Sequence, residues 1–235
     1  MLFERSSVVL LEILSGSGVG FADAVIYILS AVAVIFLTMP VHEYAHAFAA
    51  YKLGDHTQKY AGRLTLNPFS HIDWFGALCI LLAGFGWAKP VQVNPYYFKN
   101  HKRDMAITAL AGPLANLVVA FISTFVYTFF IFISYKKGFV FFSYLALFFN
   151  YISVINISLA VFNLIPVPPL DGSKILAIIL PDRLYYKVMQ YERYIYFAVL
   201  LLVFTGALDT PISFARFYIQ SAFFAITSLP FNLFM

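Results

Sequence analysis

Charge is what this chain has least of. Only 11% of its 235 residues are Asp, Glu, Lys or Arg, against 62% hydrophobic, where a soluble domain usually carries about 25% charged residues. A deficit of that size excludes a water-solvated globule and points to lipid as the solvent. Cysteine is nearly missing as well. The single Cys79 excludes an internal disulfide and, set in an apolar run, reads as a small buried hydrophobe. Residues 1–20 lack a basic region followed by a clean apolar core, so no cleavable signal peptide is expected there. Internal repeats and low-complexity tails are absent too.

What is present is a series of apolar runs, several of them long enough for a bilayer at roughly 20 residues per helix. Spans are expected over about Phe21–Leu53, Asp104–Tyr135, Phe139–Ile165 and Tyr191–Leu208, while Ile212–Phe234 could span or lie in the interface. Residues 7–20, interrupted by Glu12 and three glycines, read as an interfacial or partly inserted segment. The expected fold is an all-α polytopic membrane protein, a bundle of about 4–6 transmembrane helices. It forms one membrane-embedded domain over residues 1–235, with a catalytic core over about 21–180.

Residues 74–86 are apolar but too short to span comfortably, and basic residues flank both ends. A re-entrant hairpin is the economical reading, because basic loops keep to the cytoplasmic side. Two membrane-associated β-strands are expected beside it. GRLTLNP at 62–68 alternates enough for a short strand, and WAKPVQVNPYYF at 87–98 has the prolines of an edge strand. The net charge of +4 could suggest nucleic acid in a soluble protein, but here the basic residues sit in short loops and report topology. No nucleic-acid partner is expected. Eleven of the fifteen Lys and Arg fall in 52–63, 89–103 and 174–193, which this topology places together on the cytoplasmic side.

The strongest local signal is His42-Glu43-Tyr44-Ala45-His46. On a helix, residues i and i+4 share a face, so two imidazoles can grip one metal. The glutamate between them can take a proton from water at the metal. The bland alternative is a pair of core histidines with a stray acid. Three ionisable side chains in five residues of a membrane helix need a stronger reason, since each is costly at depth.

A catalytic zinc wants a third protein ligand and an open position. His56, His71 and His101 qualify by type but read as solvated loop histidines. Asp171 is better placed, after the stiff Pro166-Val167-Pro168-Pro169 exit and before Gly172, which lets the chain turn. Its bland role would be the N-cap of a short helix over roughly 172–180. With a histidine pair in need of a carboxylate, ligation is the favoured reading.

VHEYAHAFAA, NPFSHID, FGWAKPVQVNP, AGPLANL and NLIPVPPLDG, in this order, closely resemble the site-2 protease family of intramembrane zinc metalloproteases, and most of all its small prokaryotic members without PDZ or CBS domains. The resemblance covers about Pro40 to Ile179. It implies one Zn2+ per chain held by His42, His46 and Asp171, with Glu43 as general acid and base. It also implies that Asn163 helps hold the substrate or the oxyanion. The family's substrate-pairing strand would correspond to Gly84–Val93, with Gly86, Trp87 and Val91 as substrate-binding residues. Asn116 matches a motif position without an evident chemistry, and Gly112 reads as a site of close helix packing.

The implied activity is hydrolysis of peptide bonds in or near transmembrane segments, the partners being a transmembrane protein substrate and the lipid bilayer. The implied location is a prokaryotic cell membrane, with the site opening toward the cytoplasm. The rival reading is a non-proteolytic membrane zinc carrier or sensor. It gives no use to a glutamate between the ligands, and the chain shows no inverted repeat.

Overall fold

The structure, a computed structural model, describes residues 20–83 and 88–232. Helix α1 (Phe21–Ala33) runs through a π-turn (Val34–Thr38) into α2 (Met39–Leu53). The cause of the π-turn is local. Pro40 has no N–H to give Phe36 and its ring would crowd that carbonyl, and the widened turn absorbs the conflict, with Met39 N–H reaching back to Val34 O. α2 stops at Gly54, whose φ of +115° suits glycine and whose N–H closes on Ala50 O. A side chain at Gly54 would also strike Tyr97 O.

A short turn α3 (Thr57–Tyr60), the apolar α4 (Trp74–Ala83) and irregular loops lead to the long α5 (His101–Lys137). Asn100 accepts from Arg103 N–H to start α5, and Gly138 in the left-handed region ends it. α6 (Val140–Asn163) returns antiparallel. Beyond it lie α7 (Gly172–Ile179), α8 (Asp182–Gln190), α9 (Glu192–Phe204) and α10 (Asp209–Asn232).

The centre is α5 against α6, flanked by α1 on α6, α2 on α5, and α10 across both. Between lipid-facing helices there is no hydrophobic driving force, so small residues that let backbones approach do the packing. The buried residues fit that rule: Ala31, Ala47, Ala50, Ala109, Ala120 and Ala160 are almost fully enclosed. Polar bonds tie the helices as well. Ser30 Oγ donates to Phe148 O at 3.1 Å, Thr124 and Ser153 hydroxyls meet at 2.7 Å, and Gln220 donates to Asn150 at 3.0 Å. Each contributes about 0.6 kcal/mol in such a setting. Large apolar side chains such as Leu37, Val118, Ile122 and Phe217 face outward, as suits lipid.

Several expectations need correction. Among the described residues three helical stretches are long and apolar enough to cross a membrane, Phe21–Leu53, His101–Lys137 and Val140–Asn163, or four, the lower end of the expected 4–6, if α9 and α10 count as one bent span. α9 has 13 residues, about 20 Å of helix, and it meets α10 at a 76° bend. No β-strand forms among the described residues. Residues 62–67 are irregular, with the Arg63 guanidinium on Ser70 O and Asn67 capping a 3-10 turn. In 88–94 the backbone groups go to side chains and loops instead of a ladder. Lys89 N–H donates to His71 O, Val91 N–H to Glu43, and Asn94 N–H to Asp55, while Gln92 O accepts from Gln58.

The turn of the expected hairpin lies outside the described residues. Its two ends do meet, at the Lys89–His71 bond of 2.7 Å. Cys79 is half-buried rather than buried. His71 is enclosed rather than solvated, with Nε2 2.8 Å from Thr65 O.

Candidate metal centre

His42, Glu43 and His46 all point inward from α2 and are buried. The two histidine Nε2 atoms lie 3.0 Å apart. Asp171 arrives from the far end of the fold, and Gly172 makes the approach possible. A Cβ on Gly172 would sit 2.4 Å from the carbonyl oxygens of Leu164 and Ile165, so glycine allows α7 to fold tightly against the end of α6. The need is close approach rather than a turn conformation, since Gly172 has no positive φ.

Asp171 occupies the N-cap position of α7 but makes no capping bond. Its Oδ2 lies 3.1 Å from His46 Nε2 and 3.5 Å from His42 Nε2. Its Oδ1 accepts from Lys174 Nζ at 3.2 Å. Burial alone would raise the Asp171 carboxyl, but His46, His42 and Lys174 around it hold it well below the usual carboxylate range.

The three ligand atoms thus converge at 3.0, 3.1 and 3.5 Å. A tetrahedral zinc with bonds of about 2.0–2.1 Å spaces its ligand atoms by about 3.3 Å, so this donor set fits zinc in chemistry and in size. The imidazole orientation fits too. His46 Nδ1 donates to Thr108 O at 2.7 Å, which leaves Nε2 unprotonated toward the cluster. His42 Nδ1 is buried without a partner among the described residues. Glu43 lies beside the cluster, its Oε2 accepting from Val91 N–H at 3.1 Å.

All of these groups line one cavity of about 320 Å³. Its walls include α2, α5, the end of α6 with Asn163, segment 88–93 and α9. Asn163 and Val91, expected from the resemblance to bind substrate, both line this cavity, and the Val91 amide is already taken by Glu43. Gly86 and Trp87 lie outside the described residues. His56 and His101 are exposed and away from the cluster, and His71 is bound to Thr65.

Two groups, Thr108 and Lys174, escaped the sequence reading, and Gly112, expected to allow close helix packing, proves to do so against the metal-site histidines. Thr108 acts through its backbone carbonyl, which no side-chain pattern reports. Gly112 packs on the ligands themselves, where an added Cβ would sit 2.2 Å from His46 Nε2 and 2.7 Å from His42 Nε2. Lys174 follows Asp171 by three residues, a spacing that puts two side chains on one helix face and could have exposed it.

Comparison with known proteins agrees with this geometry. The signature of Peptidase family M50 matches residues 131–205, the stretch that holds Asn163 and Asp171. The chain is 40% identical over 171 residues to "Putative zinc metalloprotease YwhC" of Bacillus subtilis, covering 73% of this chain and 78% of that protein. The chain belongs to peptidase family M50, the site-2 proteases. This M50 member is also 31% identical over 150 residues to "Putative zinc metalloprotease Rip2" of Mycolicibacterium smegmatis, over 58% of this chain and 51% of that protein. No solved structure matches the chain. Zinc is the metal that the M50 relatives' names print, and the His42, His46 and Asp171 atoms can hold it.

Proposed function

We propose that this M50 metalloprotease hydrolyses peptide bonds within or near transmembrane segments of membrane proteins. Its zinc is held by His42, His46 and Asp171, one ion per chain. The observation that carries the reading is the convergence of three ligand atoms at 3.0–3.5 Å beside the buried Glu43 carboxylate, with His42, Glu43 and His46 on a helix long and apolar enough to cross a bilayer.

Zinc bound there supplies a Lewis acid and brings the ionisation of water toward neutrality. Glu43 takes the proton of the attacking water on its carboxylate and gives it to the leaving amine. The Val91 N–H fixes one Glu43 oxygen, so the other is turned to this task. Asn163, at the end of α6, lends its amide to the carbonyl oxygen as charge develops there. Thr108 O keeps His46 in the tautomer that ligation needs.

His42 and His46 lie about 10–17 Å along the helix from its end at Leu53, so the chemistry sits at membrane depth. The ends assigned to the cytoplasmic side cluster in space. Asp55 bonds Asn94, and Lys102 at the start of α5 pairs with Asp182 at the start of α8. This supports a multi-pass protein of a prokaryotic cell membrane, with its site opening toward the cytoplasm.

The test is zinc per chain and cleavage of a transmembrane reporter, for the detergent-purified parent, Asp171→Ala and Glu43→Gln. The parent should hold about one zinc and cleave. Asp171→Ala should lose both, and Glu43→Gln should keep zinc and lose cleavage. Full zinc in Asp171→Ala would move the third ligand elsewhere. Undiminished cleavage in Glu43→Gln would end the hydrolytic reading.

A further inference from the structure

Asn116 sits two turns beyond Thr108 and one beyond Gly112 on α5, the face that carries the His46 carbonyl partner and the space for both imidazoles. It is 2% exposed and lines the same cavity as Glu43. Among the described residues no side-chain hydrogen bond reaches it. That is unusual, because a buried amide without a partner is costly and normally finds one.

The molecule contains its own control. Asn156 on α6 is also fully buried; its Nδ2 closes back on Ile152 O at 2.9 Å, four residues away, while its Oδ1 has no partner among the described residues. Asn156 is a packing amide whose donor is satisfied by its own helix. Asn116 makes no such bond to its own helix, and it lines the cavity.

The occupant that needs such a group is a peptide backbone taken out of its helix. In a site without bulk water, each unwound N–H and C=O must find a protein partner. A side-chain amide is itself a peptide-like donor and acceptor, so it can pair with one residue of an extended chain. We propose that Asn116 is a substrate-binding residue that hydrogen-bonds the backbone of the unwound transmembrane segment beside the scissile bond. The proposal rests on the protease reading above and adds a residue, on α5, to the Asn163 amide at the end of α6.

The test uses two readouts on the full chain. In the first, Asn116→Ala and Asn116→Leu are assayed for zinc and for cleavage of a transmembrane peptide. Zinc should stay at the parent level while kcat/KM falls about tenfold, carried by KM, as expected for one lost hydrogen bond. Replacing single peptide bonds of the substrate by esters should cost the parent at one position near the scissile bond and cost Asn116→Ala nothing further there.

The second readout does not depend on catalysis. In a Glu43→Gln, Cys79→Ser background, Asn116→Cys should form disulfides with single-cysteine transmembrane peptides only when their cysteine lies within a few residues of the scissile bond. Asn156→Cys should form none. Unchanged kcat/KM together with no cross-link at any position would overturn the proposal, as would loss of zinc in both variants. Cross-linking by a protein whose parent form never cleaves would uphold the contact and remove the protease reading instead.

Discussion

On one side of the cavity, α2 and α5 meet through alanines, Gly112 and a histidine-to-carbonyl bond. On the other side, α9 offers Tyr196, Val199, Leu200 and Val203 and buries only Val199. The helix before it, α8, buries nothing, and the helix after it leaves at 76°. The contrast follows from what each wall touches. A metal tolerates errors of a few tenths of an ångström in its ligands, so its wall is close-packed and braced. On the proposed function the α9 wall is the one that must let a substrate helix pass, and regions with few buried contacts open at low cost.

The contrast can be broken most sharply at Gly112. A methyl group there overlaps both imidazoles, so Gly112→Ala should weaken zinc binding by about a hundredfold or more, read by competition with a chelator. Retained affinity would show that the α2–α5 wall yields more than its packing implies. Lys174→Met comes next. It frees Asp171 Oδ1 without touching the ligand oxygen, and zinc affinity should drop by about tenfold, with Lys174→Arg restoring most of it.

On the opposite wall, Leu200→Ala should leave zinc unchanged and shift KM for a transmembrane reporter by a few-fold at most. A loss of zinc there would mean that α9 supports the metal site after all. The smallest effect concerns the loop that borders the cavity. Burial pushes the His71 imidazole below its ordinary 6.5, Arg63 adds to this, and the Thr65 bond opposes it. The unfolded loop therefore binds that proton first, so stability is full above pH 6.5 and declines as pH falls below it. Amide hydrogen exchange over 61–73, corrected for intrinsic rate, should quicken between pH 7 and 5; a flat profile would contradict the assignment.

Much of the site could be read from the residues alone, and the reason is chemical. His42, Glu43 and His46 announce themselves by spacing, and Asp171 by standing after a stiff exit and before a glycine. The helix pattern was equally legible over α2, α5 and α6, where apolar length is the signal. The strands were not. Residues 88–94 alternate like an edge strand, but Pro90 removes a donor and the remaining groups find Glu43, Asp55, Gln58 and His71. Those partners come from distant parts of the chain, and no local pattern encodes them. His71 was misread for the same reason: its enclosure depends on Thr65 and on the return of the chain at Lys89.

The π-turn at Val34–Thr38 has one more consequence. A wide turn is equivalent to one inserted residue, and each residue advances the helical phase by about 100°. The rod from Phe21 to Leu53 therefore carries two stripes out of phase: α1 lies against α6, while α2 lies against α5. The insertion works as a phase shifter between a scaffold stripe and a chemical stripe. Deleting a single residue there would keep the rod apolar and spanning, yet rotate His42, Glu43 and His46 away from Asp171.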